Sequence, residues 1–301
     1  MANLIQKYII SKPAFPDILI TCETSVLQEN TFYYIKAGSE KATCVSVTIY
    51  PDHYIEYKKD KSNMASMSWV EYKKTCAINE DLKKSSGTRH LLYSILQFIR
   101  DKFERIRIIE LDDGSYFMCN DPFGSESSRK VMLVQYNIAL YDMSWYQMVT
   151  KAYIMPESLQ TVYNIGIQLF KDPSVKLSWD IFSRKYRILD VDSMIKETYI
   201  KTNTYREFLI ELRKEEDKYC WYISSWIAQF VNDILGNIPL TKWHIDISNL
   251  PIYEMSIIIT TPLIGGYRYT RRNKKQKSKV LPNGFNQTEF DLAYKDGFPY
   301  D

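Results

Sequence analysis

The stretch from Cys76 to Ser115 constrains the fold more than any other. Leu91, Leu92, Ile95, Leu96 and Ile99 recur at the spacing of one helical face. Ser86 or Thr88 can cap the helix that this face implies, and it ends near Lys102. Ile106, Ile108 and Ile109 then form a short strand that runs into Leu111-Asp112-Asp113-Gly114. Strand, loop with glycine, helix and strand in this order predict a β-α-β fragment.

Glycine is otherwise scarce, with 10 residues in 301, where an average share gives roughly 21. This argues against collagen-like and repeat-turn architectures. Apolar residues are 45% and charged residues 25%, so the chain has the composition of a globular protein.

Three regions follow. Residues 1–127 read as mixed strands and helices. Ile18 to Cys22 is β-prone, and so is Phe32 to Ile35. Val45, Val47 and Ile49 alternate with Ser46, Thr48 and Tyr50. Pro51-Asp52 marks a turn, Tyr54 to Tyr57 reads as the returning strand of a hairpin, and Lys58 to Met67 as a polar loop. Residues 128–236 read as mainly helical, with helices over Val131–Tyr153, Glu157–Phe170, Ser178–Arg187, Val191–Ile200 and, as one long amphipathic segment, Thr204–Ile234. Trp221, Trp226 and Phe230 are expected on one buried stripe as core. Residues 237–301 are expected to hold strands near Trp243–Ile247 and Ile257–Ile259, then a basic extension. The fold class expected is α+β.

The three histidines, His53, His90 and His244, make no metal-ligand pair, so no metal site is expected. Asp190 and Asp192 could bind a cation, but such carboxylates are more often caps near a helix start. Cys22, Cys44, Cys76, Cys119 and Cys220 are isolated and odd in number, and are expected to be free thiols of a reducing compartment. No apolar run approaches the ~18 residues of a membrane span, so a soluble intracellular protein is expected. Neither a nucleophile elbow of the G-x-S-x-G type nor a G-x-x-x-x-G-K-[ST] loop occurs.

Two features could carry chemistry. Lys83, Lys84, Ser85, Ser86, Gly87, Thr88 and Arg89 lead into and open the predicted helix. Free backbone N–H groups there, with lysine charge and hydroxyl donors, would seat a pyrophosphate, although a capped surface helix has the same residues. Glu110 and Asp112, with Asp113, end the following strand. They could hold or deprotonate an amine, or simply form an Asp-Asp-Gly-Ser turn. Tyr141, Tyr146 and Cys119 are candidate acids. Separately, Arg268 to Lys279 holds seven positive residues and no acid, beside Tyr267 and Tyr269. It reads as a non-specific contact for nucleic acid or an acidic protein surface, or as a solvated segment.

The segment Cys76 to Ser115 resembles the core of the acyl-CoA N-acyltransferase (GNAT) fold. Lys84-Ser85-Ser86-Gly87-Thr88-Arg89 is similar in part to the family's Q/R-x-x-G-x-G/A loop. Gly87 fits, Lys84 stands for the first Gln or Arg, and Arg89 stands where a small residue is usual. The resemblance implies coenzyme A or acetyl-CoA bound through Lys84 to Arg89, with Glu110 or Asp112 near the amine. Asp81 to His90, Glu110 to Ser115 and Leu140 to Tyr146, with Gly265-Gly266 and Thr270 to Lys275, are also similar to uncharacterised proteins of large double-stranded DNA viruses that have a GNAT-like N-terminal half. Two function classes follow. One is a non-catalytic or degenerate descendant serving as a virion or intracellular interaction protein with protein partners. The other is an acyl-CoA-dependent N-acyltransferase acting on an amine.

Overall fold

The computed structural model describes residues 4–260 apart from residues 53, 57, 58, 84, 85, 123, 125, 126, 189–192 and 215, and gives the backbone alone for residues 56, 59, 60, 69, 193 and 216–218. The strands are β1 (Leu4–Lys12), β2 (Phe15–Leu27), β3 (Asn30–Gly38), β4 (Thr43–Ile49), β5 (Ile55–Glu56), β6 (Lys59–Asp60), β7 (Met64–Val70), β8 (Ile108–Asp112), β9 (Tyr116–Asn120), β10 (Ser128–Met132), β11 (Lys242–Asp246) and β12 (Ser256–Ile259). The helices are α1 (Ser86–Lys102), α2 (Leu133–Tyr141), α3 (Trp145–Thr150), α4 (Glu157–Leu169), α5 (Trp179–Lys185), α6 (Ser193–Lys201), α7 (Tyr205–Arg213), α8 (Glu216–Ser224) and α9 (Ile227–Ile234).

Eight strands form one mixed sheet in the order β11-β8-β7-β4-β3-β2-β1-β12. Neighbours are antiparallel except β7 and β8, which run parallel, with α1 as the crossover between them. The β-α-β unit expected from the apolar periodicity is thus present. Period-two alternation buries Ile18 and Ile20, Ile35 and Ala37, Val47 and Ile49, Ala65 and Met67, Ile109 and Leu111, and Trp243 and Ile245. Helix α1 lies over β2, β3 and β4, with Leu91, Leu92, Ile95, Leu96, Phe98 and Ile99 buried. The other face is polar. Register places Glu23, Tyr34, Thr48, Ser66, Glu110 and His244 in one row from β2 to β11.

β4 turns back not into residues 54–57 but into β7, which occupies part of the expected Lys58–Met67 loop. β5 and β6 pair only with each other. The two strands of the third region join the two opposite edges of this sheet: β11 beside β8, and β12 beside β1. The chain between them crosses α1, where Arg100 donates to the carbonyls of Ile247 (3.3 Å) and Leu250 (2.8 Å), and Tyr253 N–H donates to Gln97 (3.0 Å).

The middle region is helical, with more breaks than its apolar pattern suggests. Val131–Tyr153 divides into the end of β10, α2 and α3. Asp142 closes α2 in the left-handed conformation, and Ser144 caps α3 through Gln147. Thr204–Ile234 divides into α7, α8 and α9. The division lets the chain fold back, so that Phe182 packs against Tyr186, Tyr199, Tyr205, Phe208, Trp226 and Phe230. Trp226 and Phe230 are core, whereas Trp221 is only half-buried and lies under Arg129 at 3.9 Å. Arg206 donates to the carbonyls of Ile138 and Ala139 and pairs with Asp142, neutralising the open end of α2.

The expectation of five free thiols is corrected. Cys44 is bonded to Cys76 and Cys119 to Cys220, with Cα–Cα separations of 6.0 and 5.5 Å. Cys22 is free and buried. The partners lie 32 and 101 residues apart, so only the folded sheet and helices bring them together. Among the described residues no helix is long and apolar enough to cross a membrane.

Candidate functional site

The approach to α1 is fixed from several sides. The Cys44–Cys76 bond ties it to β4. Ile78 N–H donates to the Asp17 carbonyl (2.9 Å), Leu82 N–H to the Lys74 carbonyl (2.9 Å), and Tyr72 donates to the Leu82 carbonyl (2.9 Å). Leu82 is buried as a result, and it explains the glycine. A Cβ on Gly87 would stand 2.6 Å from Leu82 Cγ. The Gly87 N–H donates to the Lys83 carbonyl at 2.9 Å, so this amide is already satisfied within the chain. Ser86 and Lys83 are exposed, Thr88 and Arg89 half-buried, and Lys84 and Ser85 lie outside the described residues.

One turn on, His90 is buried and stacked on Phe15 at 4.6 Å. Its Nε2 lies 3.1 Å from the Pro16 carbonyl, which can only accept, so Nε2 carries the proton and Nδ1 accepts from Tyr253 Oη at 2.7 Å. Burial lowers its pKa, which favours the neutral ring. Tyr253 also stacks on Tyr93 at 5.3 Å. The crossing segment is therefore clasped to α1 within two turns of the helix start.

Glu110, Asp112 and Asp113 follow one another at the end of β8, but their surroundings differ. Glu110 faces the polar side of the sheet, 3.6 Å from His244 Nε2 on β11 and 3.1 Å from Lys61 Nζ. All three side chains are largely buried. His244, Lys61 and the nearby charge of Lys242 together hold the Glu110 carboxyl at about 2, against burial that pushes it up. Of these contacts, only Lys61 stands at ordinary hydrogen-bond distance. Asp112 is exposed at the strand end. Asp113 is buried, its pKa raised by desolvation, and its Oδ1 accepts from Ser115 N–H and Oγ. This is the local turn chemistry that Asp-Asp-Gly-Ser suggests. Buried Tyr146 on α3 feels the Asp113 charge, and its hydroxyl pKa is raised, chiefly by burial. Cys119 is bonded to Cys220 and is not an available acid.

Sequence reasoning missed Lys61 and His244. Lys61 precedes β7 in a stretch read as loop. His244 meets Glu110 only because β11 pairs with β8 in the register His244↔Glu110. The paired cysteines gave no local signal either. His53, Asp190 and Asp192, and the whole of Arg268 to Lys279, lie outside the described residues. Among the described residues no group of three or more His, Cys, Asp or Glu side chains could hold a metal ion.

The fold is thus α+β, an eight-stranded mixed sheet followed by a mainly helical region. Comparison with protein-family models, with curated proteins and with solved structures finds no match.

Proposed function

We propose that the protein is a non-catalytic interaction protein on a GNAT-like layout, acting as a component of a virion or inside the host cell. The observation that carries this reading is the state of Glu110. A general base must be free to take a proton near the working pH, and a carboxylate paired with Lys61 and held at about 2 is a poor one. The Gly87 amide, spent on Lys83, supports the same reading. Between the two locations, the virion fits better, because disulfides persist outside the reducing cytosol. Protein partners, and polyanion contact through Arg268 to Lys279, belong to this proposal.

The acyltransferase reading keeps one favourable observation. β7 and β8 pair in parallel over Met64–Met67 and Ile108–Leu111, and β7 then runs on to Val70 beside β4. Ligands of α/β units gather at the carboxyl ends of such strands, and Asp112 stands there. Release of free thiol from acetyl-CoA, measured with a panel of primary amines, separates the two readings. No amine-dependent release is expected. Turnover that falls in Asp112→Asn would replace the proposal with the acyltransferase.

A further inference from the structure

The two disulfides differ in what surrounds them. Cys44 and Cys76 are both fully buried, one on a central strand and the other under the approach to α1. Cys119 is buried, but Cys220 on α8 keeps part of its surface open to solvent. The element that the second bond holds also buries few of its side chains. In the β9–β10 hairpin only Cys119 and Val131 are buried, and Tyr116 and Met118 face solvent. Its ties to the helices include the ring contact of Phe117 with Tyr136 at 5.1 Å and Arg129 over Trp221 at 3.9 Å. A two-stranded hairpin is marginal in water by itself and depends on what packs against it, here α8, α2 and α9.

The base of the hairpin is anchored separately. Asp113 N–H donates to the Thr241 carbonyl at 2.6 Å, and Leu133 N–H donates to the Ser115 carbonyl at 3.0 Å. Cutting one covalent bond would therefore leave the hairpin body held to the helices by side-chain contacts alone, while its two ends stay in place.

We propose that Cys119–Cys220 is a reducible latch that clamps the β9–β10 hairpin onto α8, and that a small monothiol of the glutathione class opens it in the folded protein. A thiolate attacks the Cys220 sulfur, forming a mixed disulfide, and Cys119 leaves as a thiolate that takes up a proton. A second thiol attacks the mixed disulfide, releasing the oxidised thiol dimer and the Cys220 thiol. Two thiols are oxidised for one bond reduced, so electrons balance. Cys44–Cys76 has no such access and is reduced only when the sheet opens. The latch would be closed in an oxidising exterior and open on entry to a reducing interior. It does not depend on whether the protein is an enzyme.

The test uses the full chain purified without reductant. Folded protein is exposed to glutathione for graded times and labelled with one alkylating agent. It is then unfolded, fully reduced and labelled with a second agent, and the cysteine peptides are weighed. Cys119 and Cys220 are expected to take the first label at least tenfold faster than Cys44 and Cys76, and amide exchange across residues 116–132 is expected to rise while that of β4 and α1 stays unchanged. Equal labelling of both pairs, free thiols at 119 and 220 before any reductant, or unchanged exchange in the hairpin after the bond is cut would each overturn the latch. The variant Cys119→Ser/Cys220→Ser should show the raised exchange without reductant. If that variant fails to fold, the labelling order in the native chain still decides.

Discussion

Replacing Glu110 by Gln removes the carboxylate from a buried group of charges without changing its size. The expected effect can be worked from the site. A carboxyl lowered from an ordinary 4.5 to about 2 is favoured in its ionised, folded form by about 3 kcal/mol. Because the folded value lies below the unfolded one, this stabilisation is present above about pH 4.5 and is lost as pH falls through about 2. The substitution also leaves Lys61, whose side chain is 7% exposed, without its anion. Breaking a buried pair from one side costs about 3–5 kcal/mol. Glu110→Gln should therefore lose about 3 kcal/mol at pH 7, or roughly 1 M in urea midpoint at a slope of about 3 kcal/mol/M. At pH 2 the difference from the parent should shrink. Lys61→Met with Glu110→Gln should recover most of the loss, since the stranded charge is gone. Urea unfolding followed by fluorescence and circular dichroism, at pH 7 and pH 2, reads all three effects. A Glu110→Gln stability within about 0.5 kcal/mol of the parent at pH 7, or a parent insensitive to pH between 5 and 2, would mean that the Glu110–Lys61 pair does not hold the fold.

Gly87→Ala should lower the melting temperature through collision with Leu82, at about 1–3 kcal/mol. The double variant with Leu82→Ala should not suffer this collision, so a double-mutant cycle in thermal melts should show coupling between the two positions. Loss of the Cys44–Cys76 bond in Cys44→Ala/Cys76→Ala closes no loop of 32 residues in the unfolded chain and should cost about 3–4 kcal/mol; unchanged denaturant midpoints under non-reducing conditions would mean the bond is absent in solution. Affinity for duplex DNA, followed by fluorescence anisotropy, should fall steeply with salt and disappear on deletion of the residues after Gly266, and residues 4–260 should melt as before.

The parts of the fold legible in the sequence are those where local pattern and final environment agree. Leu91 to Ile99 must face a core wherever the helix lies, and Ile108 to Leu111 had flanking turn residues to bound it. β7 was missed because Met64-Ala65-Ser66-Met67-Ser68 alternates without β-branched residues. Its buried members, Ala65 and Met67, have little strand preference, and the sheet supplies what the segment lacks. The break-up of Thr204–Ile234 into three helices was hidden because the apolar residues keep a helical spacing through both turns. The site shows the same limit more sharply. Glu110 was legible as a carboxylate at a strand end, and Gly87 as a special position at a helix start. What each does depends on Lys61, His244 and Leu82. The first two reach Glu110 only through the sheet, and the third meets Gly87 through the folded approach to α1.

If the protein is the non-catalytic form proposed above, coenzyme A should not bind at the start of α1. The oxidised full-length chain should be melted with and without 1 mM coenzyme A. A ligand at about 100 times its dissociation constant adds about 2.7 kcal/mol to the folded state, which for a chain of this size raises the melting temperature by roughly 5–10 °C at 2–4 °C per kcal/mol. No shift is expected. A saturable rise of several degrees, abolished by Gly87→Val in a variant that still folds, would contradict it and place the cofactor at the start of α1.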